Sequence, residues 1–140
     1  MTTFDTPQTR PIIPALGNLW SALKPLSPVI IRVATGLLMV PHGAQKLFGA
    51  FGGYGLEGTG QYMASLGLEP GFLMALLAGS AEFFGGLARA LGLLTRPAAA
   101  VSAFTMLIAI FSAHIQNGLF LSNGGYEYAL VLFAVTVSLA

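Results

Sequence analysis

Residues 28–49 read PVIIRVATGLLMVPHGAQKLFG. The first thirteen are almost wholly apolar, and one arginine, Arg32, interrupts them near the start. A proline, a histidine and a lysine then fall within six residues of one another, at Pro41, His42 and Lys46. An apolar run of about 20 residues is long enough to cross the hydrocarbon layer of a bilayer. Backbone polar groups have no water to bond to there, so such a run must be a helix.

Working outward, three further apolar spans follow, at about 70–94, 97–116 and 124–140, the last running to Ala140 without a polar flank. The composition agrees with four spans. Of 140 residues, 55% are hydrophobic and only 8% charged, with mean hydropathy +0.78, against about 25% charged residues in an ordinary soluble domain. A net charge of +1 gives no reason to expect nucleic acid as a partner. There is no cysteine, which excludes disulfides, thiolate metal sites and thiol redox chemistry within the chain. The expected fold is an all-α membrane protein, four transmembrane helices in an up-down bundle over 28–140. A polar to mixed arm, 1–27, precedes it, within which ALGNLWSALK (15–24) suits a short interfacial helix anchored by Trp20. The arm lacks the pattern of a signal peptide.

Lys24, Arg32, Arg89 and Arg96 fall at one end of this arrangement. The glycine-rich loop 49–69 with Glu57 and Glu69, and the loop 117–123, fall at the other. The positive-inside rule then places both termini in the cytoplasm. The glycine-rich outer loop between the first two spans disfavours regular helix, except that TGQYMASLG (59–67) suits a short helix on the outer face. Its GYGLEG string (53–58) resembles a dinucleotide fingerprint but is expected to lack the strand before it and the helix after it.

Polar residues inside the spans carry the functional reading. Pro41 removes the hydrogen bond to the Leu37 carbonyl and is expected to kink the helix, with His42 or a water near the freed oxygen. His42 and Lys46 are four apart and share a face. In the second span Ala75, Gly79, Glu82, Gly86 and Arg89 recur at steps of three and four, a stripe that permits close packing in lipid. Glu82 therefore faces the bundle, and an ionisable group there is costly unless paired or functional. Arg89, about 10 Å further along, is expected to snorkel to the cytoplasmic interface. HGAQKLFGAFGGY (from His42) also matches HIQNGLFLSNGGY (from His114) at His, Leu, Phe, Gly, Gly and Tyr, pairing Gly52 and Gly53 with Gly124 and Gly125. This suggests two parallel helix-pair repeats, with the two histidines facing each other across an axis along the membrane normal.

The strings HGAQKLFGAFGGYGLEGT (42–59), AGSAEFFGGLARALGLLTRPAA (78–99), AFTMLIAIFSAHIQNGLF (103–120) and NGGYEYAL (123–130) together resemble the DoxX family over about residues 28–140. The resemblance implies a four-helix bacterial inner-membrane protein associated with quinone-linked and other membrane redox assemblies. It marks His42, Lys46, Gly49, Gly52, Gly53, Gly58, Glu82, Gly85, Gly86, Gly92, Thr95, Arg96, Asn117, Gly118 and Glu127 as motif positions. The leading expectation is an accessory subunit of a membrane redox complex that binds a small, quinone-like ligand at His42, Lys46, Glu82, His114, Asn117 and Glu127. There the histidines would hydrogen-bond the ligand, Lys46 would offset negative charge and Glu82 would take or relay a proton. Pro41, Gly52, Gly53, Gly79, Gly85, Gly86, Arg89, Arg96, Gly124 and Gly125 would serve the fold. No H-x-x-x-H or H-E-x-x-H spacing favours metal or haem. Two other readings stay open. One is a small-solute carrier. The other is a structural subunit docking on a larger membrane complex through Phe51, Tyr54 and Tyr62; the expected partner is a protein of a membrane redox complex or a second copy of the chain.

Overall fold

A computed structural model describes residue 13 and residues 16–140. Residues 1–12, most of the expected arm, lie outside the described residues. The described part is helical, with no strand.

The first helix among the described residues is α1 (Gly17–Leu23), none of whose residues is buried. Helix α2 (Leu26–Phe48) carries the opening stretch and is closed by Gly49, whose φ of 69° is left-handed. A 3-10 turn leads to α3 (Gly55–Ser65). Then come α4 (Gly71–Leu91), α5 (Thr95–Ala109) and, after an irregular connection, α6 (Glu127–Leu139). Leu26–Phe48, Gly71–Leu91 and Thr95–Asn117 are long and apolar enough to cross a membrane. At 13 residues, α6 spans about 20 Å.

Pro41 does not divide α2, which continues as one helix past it. A transmembrane helix tolerates the single lost hydrogen bond because neighbouring groups re-satisfy the backbone. Helix α3 starts four residues before the expected TGQYMASLG segment and runs through Gly58 and Gly60. It therefore supplies a helix inside the GYGLEG string, where none was expected, although no strand precedes it among the described residues. Gly60 explains why glycine suits this helix: a Cβ there would lie 3.0 Å from Phe72 Cα, at the start of α4.

The tightest seam joins α2 and α4, which run antiparallel. A Cβ on Gly36 would come within 2.6 Å of the Gly86 carbonyl oxygen, and one on Gly86 within 2.7 Å of the Gly36 oxygen. Seven residues along each helix, Gly43 approaches the backbone of Phe83 and Gly79, while Gly79 lies against Lys46 and Leu47. Seven residues are close to two helical turns, so both pairs recur on the same stripe. Helix α5 packs on α6 and on α4, whereas α2 touches α6 only lightly. Met39, Met106, Ile110, Ala129 and Leu132 form the core, with Tyr126, Tyr128 and Phe133 against it. Large apolar side chains such as Leu38, Phe72, Leu77, Phe84, Phe104, Phe111 and Val131 point outward. So much outward apolar surface requires lipid, or protein in its place.

Gly85 and Gly86 are neighbours with opposite environments. The nearest atom to a Cβ on Gly85 is Ser102 Oγ at 3.6 Å, an ordinary contact. Gly86→Ala is therefore expected to lower thermal stability in detergent by about 1–3 kcal/mol, through overpacking. Gly85→Ala is expected to be neutral or slightly stabilising, because alanine favours the helix. Equal effects of the two substitutions in a thermal-unfolding comparison would refute the seam.

Candidate functional site

Helix α2 presents two polar residues one turn apart, and the structure gives each a different partner. Lys46 turns inward. Its Cβ would lie 3.2 Å from a Cβ on Gly79, so the missing side chain at Gly79 leaves a channel for the lysine stem. The ammonium reaches Glu82, one turn further along α4, with Nζ 2.5 Å from Oε2. The Glu82 side chain is 5% exposed and that of Lys46 25%. The carboxylate is thus nearly sealed in the bundle, while the ammonium keeps one flank open.

His42 is exposed and forms no side-chain hydrogen bond among the described residues. It does not satisfy the Leu37 carbonyl. Its ring lies 5.9 Å from that of Tyr128 on α6, at 47°. Tyr128 in turn lies within electrostatic range of Glu82. His42, Lys46, Glu82 and Tyr128 thus form one patch shared by α2, α4 and α6. Phe48 and Phe83 stack edge to face beside it, centroids 5.3 Å apart. Because α2 and α6 touch only lightly, His42 stands at an opening toward the bilayer.

The other three expected ligand residues lie apart from this patch, where α5 connects to α6. After Ala109 the backbone of α5 widens into a π-helical turn, Ile110–His114, and then tightens into Ile115–Asn117. His114 Nδ1 donates to the Gly124 carbonyl oxygen at 2.7 Å, and Asn117 Nδ2 donates to the same oxygen at 3.2 Å. Glu127 Oε1 accepts the Leu121 backbone N–H at 2.7 Å. Backbone bonds from Tyr126 to Gly118 and from Glu127 to Leu119 complete the closure. Together these groups tie the 118–126 connection to both helix ends. Glu127 immediately precedes Tyr128, so this lock also sets where the phenol stands. His42 and His114 therefore have separate partners.

The two matched segments do share backbone detail. Gly52 and Gly124 both have φ 76°. Tyr54 and Tyr126 precede α3 and α6 with φ/ψ of −91°/−3° and −88°/−1°. Gln45 donates to the Phe51 carbonyl at 3.3 Å, where its counterpart Asn117 donates to Gly124. A Cβ on Gly53 would collide with Gln45, and one on Gly125 with Leu119.

Arg89, expected to snorkel, is instead fully buried at 0% exposure. Its stripe on α4 points at the seam, so the side chain has no outward route. Arg96 is exposed. Among the described residues, no three of His, Cys, Asp and Glu come together as a metal site. Tyr128 is absent from the residues that the sequence singles out, and Arg32 figures there only through its charge. Tyr128 follows the GGYE string by one residue, a weak signal at most.

The DoxX family model matches residues 27–115. "Putative oxidoreductase CatD" of Bacillus subtilis (strain 168) is 32% identical over 114 residues, covering 81% of this chain and 78% of that protein. "Inner membrane protein YqjF" of Escherichia coli (strain K12) is 32% identical over 120 residues, covering 81% and 86%. "Inner membrane protein YphA" of the same strain is 33% identical over 96 residues, covering 68% and 64%. No solved structure gives a significant match. The chain belongs to the DoxX family.

The buried pair can be tested independently of any activity. Removing one partner of a buried ion pair typically costs about 3–5 kcal/mol, whereas apolar replacement of both is often neutral. The open flank of Lys46 should lower that cost for Glu82→Leu, so about 2 kcal/mol or more is expected there, and more for Lys46→Met. The double variant should recover most of the loss. A thermal double-mutant cycle with additive losses would show that the two groups are not coupled.

Proposed function

We propose that this DoxX-family protein is an inner-membrane accessory subunit of a quinone-linked redox complex, holding a small ligand in the patch formed by His42, Lys46, Glu82 and Tyr128. The observation that carries this reading is the Lys46–Glu82 pair, a carboxylate nearly sealed among apolar helices yet beside an opening at His42. Ionisable groups at membrane depth are costly and tend to mark ligand or proton pathways. The name of CatD, with its reference to an oxidoreductase, points to the same class. YqjF and YphA, named as inner-membrane proteins, support the location. In this reading α2, α4, α5 and α6 form an up-down bundle, and the matched helix-exit loops are traces of a parallel two-helix repeat. The placement of Lys and Arg supports a topology with both termini in the cytoplasm.

A quinone, when bound, supplies two-electron, two-proton chemistry; its electrons would come from a partner redox subunit. The chain's own residues would do the rest. His42 and the Tyr128 hydroxyl would donate hydrogen bonds to the ligand's carbonyl oxygens. Lys46 would hold the Glu82 side chain in place while the site is empty and offset negative charge that develops on the ligand. Glu82 would then take or pass a proton at its carboxylate oxygen. His114, Asn117 and Glu127 serve indirectly, by fixing the loop that positions Tyr128.

The reading is tested by mass spectrometry of the full chain, purified gently from its native membrane, read for bound quinone and for co-purifying subunits. Quinone at near-unit ratio is expected in the wild type. It should fall at least tenfold in His42→Ala and in the stable Lys46→Met/Glu82→Leu double variant. A wild type without quinone, or a double variant that keeps it, refutes the site. A stoichiometric large partner with no small ligand would instead assign the chain a purely docking role.

A further inference from the structure

Four side-chain atoms among the described residues are buried without a hydrogen-bond partner: Arg32 Nε, Arg89 Nη1, Arg89 Nη2 and Ser102 Oγ. They belong to the end of the bundle where α2 begins, α4 ends and α5 begins, away from the Lys46–Glu82 pair. Arg89 and Ser102 are both 0% exposed. Arg89 Nε spends its proton on the Gly85 carbonyl at 3.4 Å, which leaves both terminal nitrogens free. Gly85 also lies against Ser102, since a Cβ there would stand 3.6 Å from the serine oxygen. Gly85 thus borders both groups, its carbonyl held by Arg89 Nε and its Cα side facing the Ser102 hydroxyl across the α4–α5 contact. One turn beyond Arg89, the Arg32 guanidinium lies against Gly92, where any side chain would collide with it.

A guanidinium cannot shed its charge in a protein. Left buried and unpaired, it would be among the most expensive groups the fold could contain. The carboxylates of the described residues do not answer it. Glu82 is seven residues away on the same helix, about 10 Å along its axis, and is committed to Lys46. Glu57, Glu69 and Glu127 lie at the other end of the helices. Three of the four orphan atoms are cationic donors, and the fourth can donate. What the site lacks is an acceptor carrying negative charge and at least two oxygens, the partner a guanidinium fork fits best.

We propose that Arg89, with Ser102 and Arg32, binds an oxyanion of the phosphate or sulfate type at this end of the bundle. The source is either the phosphate of a bilayer lipid or a free anion. The site is independent of the ligand patch at His42 and stands or falls without it.

The test uses the full chain in neutral detergent. Native mass spectrometry reads retained phospholipid, and thermal unfolding is compared in sodium phosphate, sulfate and chloride at equal ionic strength. Either about one phospholipid per chain that survives delipidation, or stabilisation by phosphate or sulfate over chloride, is expected. The first outcome identifies a lipid source and the second a free anion. Ser102→Ala, which should fold, is expected to weaken retention or the apparent phosphate affinity about tenfold, the effect of one hydrogen bond to a charged group. Arg89→Gln should abolish it. The proposal is overturned if the wild type shows neither effect, or if lipid is retained equally in the wild type, Ser102→Ala and Arg89→Lys. It is also overturned if Asp5→Asn destabilises as much as Arg89→Gln and the two are non-additive. That result would make a carboxylate of the chain itself the partner.

Discussion

The close approach of α2 to α4 is the constraint on which the rest of this molecule depends. In lipid there is no hydrophobic gain in bringing two apolar helices together, so association relies on packing and on polar contacts. Gly36 against Gly86, and Gly43 against Gly79, bring backbone to backbone at distances that a single methyl group would forbid. That spacing has a second consequence. With no side chain at Gly79, the Lys46 stem can lie along α4 and place its ammonium on Glu82. With a bulkier residue there, Lys46 would be turned toward the headgroups and Glu82 would lose its counter-charge. The seam is therefore both the packing of the fold and the condition for its buried ion pair.

That pair is a poor stabiliser in itself. The desolvation of a buried carboxylate and ammonium roughly cancels their attraction, and apolar residues of similar size would serve packing as well. An arrangement that is costly and structurally replaceable asks for another explanation. Its surroundings supply one. The ion pair does not sit alone in the core but between an aromatic contact, His42 with Tyr128, and an opening where α2 and α6 scarcely touch. Polar groups at membrane depth with access from the bilayer are what a lipid-soluble ligand needs.

Much of this was legible in the sequence. The stripe Ala75, Gly79, Glu82, Gly86 and Arg89 reappears as the buried face of α4, with Gly71 added. Small residues at steps of three and four have only one structural use in lipid, so the pattern carried its own interpretation. Three of the four expected spans were legible for the same reason, since length and hydropathy nearly decide them, whereas α6, with 13 residues, is shorter than the crossing helices. The partners were not. His42 and Lys46 share a face, yet one reaches α4 and the other lies beside α6, because the face is broad enough to border two neighbours. His114, Asn117 and Glu127 were expected beside His42 from the matched segments and the family motif, and the structure places them in the connection between α5 and α6. A chain leaving a helix must satisfy its own carbonyls and N–H groups, and these three side chains do that work. Arg89 was misjudged because snorkelling assumes an outward path. A residue on the same stripe as Gly79 and Gly86 has none.

The two charged sites also bear on whether the bundle could conduct a solute along its length. Glu82 and Arg89 lie on one stripe of α4, two turns apart, with Gly86 pressed against α2 between them. Neither reaches the other: Glu82 is held by Lys46, and Arg89 Nε is bonded to the Gly85 carbonyl. The interior beside them is filled by Met39, Met106, Ile110 and Leu132. A carrier requires polar groups that succeed one another along the axis, so that a solute is never left without partners in the hydrocarbon layer. Here the polar groups form two clusters, one at the middle of the stripe and one at its C-terminal end, with packed apolar side chains alongside. Such a partition suits a site entered sideways from the bilayer and a separate anchor at the far end better than it suits a path through the middle.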